Sequence, residues 1–202
     1  MVLARRIAWL LGCWVSRIPA ESRPAVYEIL LKLMADNDLV VQMTAAHGLS
    51  QVIDDLNFDI QPFAPYVSPS LQSILALTEK VEEVGSQMQL INILSIIIEQ
   101  AHSQVFPFAG QIVQFLAQLW GNIGSEEQGM MRSAVIRSID KLVVVLEHRS
   151  ADYYDTLLPI VRMATDVTQA ESIYTIEDGL TVWGNLCMYW SDSLADRMSL
   201  LT

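Results

Sequence analysis

The chain has 202 residues, 52% of them hydrophobic and only 17% charged, so a large part of it must be buried. Its net charge of −11 is concentrated in residues 37–131, which sum to −9, against +2 for residues 1–36 and −4 for residues 132–202. Such a surface repels nucleic acid and anionic membrane and favours a basic partner. Cys13 and Cys187 lie far apart without CxxC spacing, which points to a reducing compartment and away from a disulfide or metal framework.

The opening stretch, MVLARRIAWLLGCWVSRIPAES, has the charge and apolar core of a signal peptide. Ile7, Leu10, Leu11, Trp14 and Val15 nevertheless share one helical face, and Pro24 follows at a helix start, so the stretch reads as a packed first helix. No run reaches the ~18 to 20 apolar residues that span a bilayer. Further on, DNDLVVQMTAAHGLSQV places Asp38 as an N-cap. Val41, Ala45, Leu49, Val52, Ile53 and Leu56 then fall on one face, with His47 one step off it. LINILSIII (90–98) is apolar almost all round, as in a helix covered on several sides. The same kind of face recurs in Met131, Val135, Ile139, Leu142 and Leu146, and again in Ile176, Leu180, Trp183 and Cys187.

Between these helices stands a second type, an aromatic followed by an aliphatic run. Its aligned aromatics are Tyr27, Tyr66, Phe108 and Tyr154, at separations of 39, 42 and 46 residues. That range suits two-helix solenoid repeats of the HEAT or armadillo kind, about 40–47 residues long, and exceeds the ~34 of tetratricopeptide units. The predicted fold is therefore all-α, a HEAT-repeat solenoid of about five antiparallel helix pairs in a right-handed superhelical array. The pairs are 2–16 with 22–36, 38–56 with 61–79, 83–102 with 105–121, 126–148 with 152–165, and 171–189 with a truncated 192–202. The whole chain reads as one solenoid segment. With no polar caps at its ends, it is expected to be part of a longer array.

Catalytic chemistry finds little support. His47, His102 and His148 fall on three different repeats outside any metal spacing, and no GxSxG occurs. GNIGSEE (121–127) lacks the lysine of a phosphate loop and reads as a helix end followed by Ser125 as N-cap. Neither an enzyme nor a cofactor is expected. The acidic pairs are Asp54-Asp55 with Asp59, Glu82-Glu83, Glu126-Glu127 and Glu177-Asp178. Most of these serve solubility and helix-dipole compensation. Asp54, Asp55 and Asp59 are the candidates for an exposed surface that meets a basic partner. Trp9, Trp14, Trp120, Trp183 and Trp190 are assigned to core packing.

RRIAWLLGCWVS (5–16), DNDLVVQMTAAHGLSQVIDDLNFDIQPFAPYV (36–67) and LLPIVRMATDVTQAESIYTIEDGLTVW (157–183) together resemble the central HEAT repeats of importin-beta-type nuclear transport receptors, in the importin-11 branch. In the second stretch Gln42 replaces the arginine that usually follows the valine, which puts the intra-solenoid ladder in question at that repeat. The resemblance implies a shuttling carrier, present in cytoplasm and nucleus. Such a carrier takes basic protein cargo on an acidic concave surface, contacts Phe-Gly nucleoporins on its convex face and releases cargo to Ran-GTP. It also implies a monomer with no nucleic acid partner and no membrane insertion. The resemblance further implies that the main Ran contacts lie in N-terminal repeats, which are expected to fall outside this segment. The alternative is a HEAT-repeat scaffold or regulatory subunit outside transport.

Overall fold

The computed structural model describes residues 2–124 and 129–189. Ser125, Glu126, Glu127, Trp190 and the predicted helix 192–202 lie outside them. All regular structure in the described residues is helical: α1 (Val2–Cys13), α2 (Arg23–Met34), α3 (Leu39–Ile53), α4 (Ile60–Phe63), α5 (Val67–Lys80), α6 (Val84–Ala101), α7 (Ala109–Asn122), α8 (Gly129–Leu146), α9 (Tyr154–Ala164) and α10 (Ile176–Met188), joined by turns and short 3-10 segments. The chain divides into two compact units between Val105 and Phe106.

In the first unit α3 packs against α1 on one side and α6 on the other, with α2 and α5 forming a second layer. Local chemistry sets the helix starts. Asp38 caps α3 by accepting from Val40 N at 2.8 Å, and Glu83 caps α6 by accepting from Gly85 N at 2.9 Å and Ser86 N at 2.5 Å. Pro24 sits in the first turn of α2, where its missing N–H costs nothing. The predicted helix 61–79 is divided into α4, a 3-10 turn over Ala64–Tyr66, and α5. Pro65 lies in that turn, and a proline ring cannot continue the i to i−4 ladder.

Two apolar faces are placed differently from expectation in this unit. On α1 the buried positions are Ala8 and Gly12, whereas Ile7, Leu10 and Trp14 are exposed. The cause is the close approach of α1 to α3 along a seam of small residues, which excludes the bulky face from the contact. Leu56 is fully exposed, because α3 ends at Ile53 and the chain turns away through residues 54–59. Val41, Ala45, Leu49, Val52 and Ile53 are all buried as expected.

In the second unit α8 packs against α7 and α10, and α9 packs against α7 and α10. Met131, Val135, Ile139, Leu142 and Leu146 line the buried face of α8. On α10 the buried residues are Gly179, Val182 and Leu186, while Leu180 and Cys187 are exposed, a face rotated from the expected one. Gly179 explains the rotation: a Cβ there would come within 2.7 Å of the Thr165 methyl, so the glycine marks the contact with the end of α9.

The segments α6, 3-10 turn, α7 and α8, 3-10 turn, α9 begin at residues 84, 102 and 109 and at 129, 147 and 154, a constant offset of 45 residues. His102 and Glu147, the first residues of the two turns, both carry positive φ, 47° and 51°. The repeat is thus copied down to its backbone irregularity. The aligned aromatics are less uniform. Tyr27 and Tyr154 are buried and Tyr66 and Phe108 half-buried, and in the second repeat Phe63 takes the core place instead.

Candidate functional site

The acidic loop 54–59 joins α3 to α4, and its three carboxylates have three different environments. Asp54 follows the last turn of α3, its amide donating to Ser50 O at 2.9 Å, and its side chain is exposed. Asp59 is exposed and caps α4, accepting from Gln61 N at 3.0 Å. Asp55 departs from the exposed surface expected of it. It forms an ion pair with Arg23 of α2, the two side chains being only 10% and 9% exposed. Arg23 also donates to Asn57 O at 3.2 Å, so one guanidinium holds the loop at two points. The resulting geometry turns Asp55 inward as an anchor and leaves Asp54 and Asp59 facing solvent.

An aromatic cluster backs this anchor. Phe63 packs edge-on against Tyr27 at 5.0 Å and against Phe58 at 5.6 Å, and Tyr27 lies 5.4 Å from Tyr66. Edge-to-face pairs of this kind add to simple area burial. Burial pushes the Tyr27 hydroxyl above its ordinary pKa, with neighbouring Arg23 pulling the other way. The cluster fixes where the loop leaves the core, and Phe58 is the residue by which the loop itself joins it.

The other acidic pairs serve local structure. Glu83 is the α6 cap, and donors on Ser86, followed by the Gly85 amide, hold its carboxyl below the ordinary range. Asp178 accepts from Ser133 Oγ at 2.6 Å across the α8 and α10 contact. Glu82 is exposed. Among the described residues no three His, Cys, Asp or Glu side chains group as a metal site would require. Among them, too, no helix is long and apolar enough to cross a membrane. His47 is exposed on α3, and His148 has Nδ1 2.8 Å from Tyr189 O. Core packing holds for Trp120, which is buried with the Arg132 guanidinium 5.2 Å from its ring. Trp9 and Trp14 are exposed instead, on two different stripes of α1.

A set of residues that the sequence reading missed ties each inner helix to the loop before it. Gln42, the fourth residue of α3, is nearly buried, donates to Asp36 O at 2.5 Å and accepts from Lys80 Nζ at 3.0 Å. Gln87, the fourth residue of α6, donates to Val81 O at 2.7 Å, and Arg132, the fourth of α8, donates to Ile123 O at 3.0 Å. The three are spaced 45 residues apart. The ladder questioned at Gln42 is therefore present there, built from a neutral amide with Lys80 supplying the cation. The common spacing of these long polar side chains was the available signal.

Residues 133–202 match a family profile described as "Importin-11-like, TPR repeats". The chain is 36% identical over 182 residues to importin-11 of Homo sapiens and equally to that of Mus musculus, covering 90% of this chain and 18% of each relative. It is 25% identical over 195 residues to the importin beta-like protein KAP120 of Saccharomyces cerevisiae, covering 94% of this chain and 19% of that protein. The solved structure of Lph2, described as a bidirectional nuclear transport receptor in S. cerevisiae, matches with a TM-score of 0.92 at 24% identity, over 99% of this chain and 21% of that one. That likeness shows the fold, packed helix pairs of the HEAT type. The chain thus spans about a fifth of the length of the relatives it matches.

Proposed function

We infer that this chain, an importin-11-like segment of the importin-beta family of nuclear transport receptors, serves as a central arch of a carrier that takes protein cargo through the nuclear pore. In this reading the longer receptor imports cargo, releases it to Ran-GTP, contacts Phe-Gly nucleoporins, and shuttles between cytoplasm and nucleus. Members of the family are carriers and not enzymes.

The observation that carries the cargo assignment is the pair of outward carboxylates on an anchored loop. Asp54 and Asp59 are exposed, and their loop is tied back by the Arg23 and Asp55 ion pair and by Phe58. A pre-positioned acidic loop meets a basic segment with little ordering cost. The nearby sequence supplies few competing cations: between Ser22 and Met131 only Arg23, Lys32 and Lys80 are present. Arg23 is engaged with Asp55, and Lys80 with Gln42.

Charge reversal of Asp54 and Asp59 tests the assignment, read as the affinity of the longer receptor for a Lys/Arg-rich cargo peptide. Exposed attractions are screened within ~8–10 Å at physiological salt, so wild-type binding should weaken with ionic strength. The double reversal should weaken it by about tenfold at low salt. Affinity that is unchanged by the reversal removes the loop from the cargo surface.

A further inference from the structure

A groove of about 790 Å³ opens on the first unit where α1, α3 and α6 run side by side. Ligand sites typically occupy about 300–1,000 Å³. Trp9 and Leu10 of α1 and Met43 of α3 line it with apolar surface, and Arg5, Arg6 and His47 supply its polar groups. Among the described residues no carboxylate lines it, in a chain with 23 Asp and Glu. Arg5 and Arg6 are both exposed, and neither has an ion-pair or hydrogen-bond partner among the described residues.

The groove is distinct from the bare side of α1. At 100° per residue, Val2, Arg5, Arg6 and Trp9 form one stripe of the helix, while Leu3, Ile7 and Trp14 lie on another that faces away from α3. The first stripe combines two unpaired guanidinium groups with an indole that is 56% exposed. Guanidinium groups bind carboxylates through paired, charge-assisted hydrogen bonds, and a half-exposed indole accepts an apolar side chain.

We propose that this groove binds a short acidic protein segment carrying one aromatic or aliphatic anchor: Arg5 and Arg6 pair its carboxylates, and Trp9, Leu10 and Met43 receive the anchor. The site is independent of the acidic loop and opposite to it in charge, so it assigns the molecule a second class of partner. A short peptide is favoured over nucleic acid by the charge around the groove. Residues 37–105 of the same unit carry eight carboxylates against one lysine and sum to −7, and a strand of phosphates running beyond the groove would cross that field, whereas a segment of a few residues ends within it.

The test uses the longer receptor that contains this segment and a fluorescein-labelled Glu-Asp-Glu-Phe-Asp-Glu peptide, with binding read by anisotropy at low and physiological ionic strength. The comparison probes are the same peptide with Lys at every acidic position and a thymidine oligonucleotide of equal length. The acidic peptide should bind, and the Lys peptide should not. Arg5→Glu and Arg6→Glu should each lower affinity by about tenfold, and Trp9→Ala by about fivefold. Arg6→Lys should retain most of the binding, and Arg17→Glu, an exposed cation outside the groove, should leave it unchanged. Circular dichroism of each variant separates lost binding from lost fold, and Arg6→Lys keeps the size and charge of the site if a reversal unfolds the chain. Absence of binding, equal binding of the Lys peptide, or indifference to both arginine reversals overturns the proposal. So does tighter Arg6-dependent binding of the oligonucleotide, which would make the groove a nucleic acid site. Concentration-dependent self-association abolished by Arg6→Glu would place a second copy in the groove, and would overturn it as well.

Discussion

Gly48 marks the closest approach of α3 to its neighbours: a Cβ there would stand 2.9 Å from the Ala8 carbonyl oxygen and 3.2 Å from a Leu30 methyl. The oxygen belongs to backbone and cannot swing aside. Gly48→Ala should therefore destabilise the first unit by ~1–3 kcal/mol, seen as a lower urea midpoint with unchanged slope. Gly12→Ala should cost less, since the atom it meets most closely is the end of the flexible Gln51 side chain. The sequence placed Ala45 on the apolar face of this helix, where it is fully buried together with Ala46. It could not show that the tightest contact falls two residues later, because that depends on the backbone of α1. A second residue-scale expectation concerns Glu83, whose folded carboxyl lies below its ordinary value of 4.5. A depressed carboxylate stabilises the fold above the unfolded value, and that contribution disappears as pH falls through the folded one. The stability difference between wild type and Glu83→Gln should thus be present at neutral pH, begin to shrink below about 4.5, and vanish in stronger acid.

At the scale of elements, the fourth residue of each inner helix reaches back to the preceding loop, through Gln42, Gln87 and Arg132. Gln42→Leu keeps the bulk but removes the donor to Asp36 O and the acceptor for Lys80 Nζ. Stability should fall by ~1–3 kcal/mol, and amide exchange should rise in the 35–38 turn ahead of the rest of α3. Uniform exchange across α3 would mean that the bond does not hold the turn. The two positive-φ residues provide a complementary test. Glu147→Gly should raise thermal stability, because a side chain in that backbone region costs about 1–2 kcal/mol that glycine avoids. A lower melting temperature for Glu147→Gly contradicts this. Helix order was legible because the 3.6-residue period is long and strong in this chain. Helix orientation was less so: the α1 and α10 faces are set by Gly12 and Gly179, residues that carry no hydrophobic signal.

For the molecule as a whole, charge distribution is the property that sequence conveyed best and local structure then divided. The excess of carboxylates in residues 37–131 can be counted directly. That Asp55 is spent on Arg23, 32 residues earlier, while Asp54 and Asp59 remain outward, requires the fold. The same holds for Arg5 and Arg6, whose groove is completed by residues of α3 and α6. The measurement that bears most directly on the transport reading is affinity capture with the longer receptor containing this segment, wild type and Asp54/Asp59 charge-reversed, with and without GTP-locked Ran. Bound proteins are identified by mass spectrometry. The transport reading predicts a set of basic partners that the wild type retains, that Ran-GTP releases, and that the reversed receptor holds less well. A bound set that Ran-GTP leaves unchanged would contradict it and favour a scaffold outside nuclear transport.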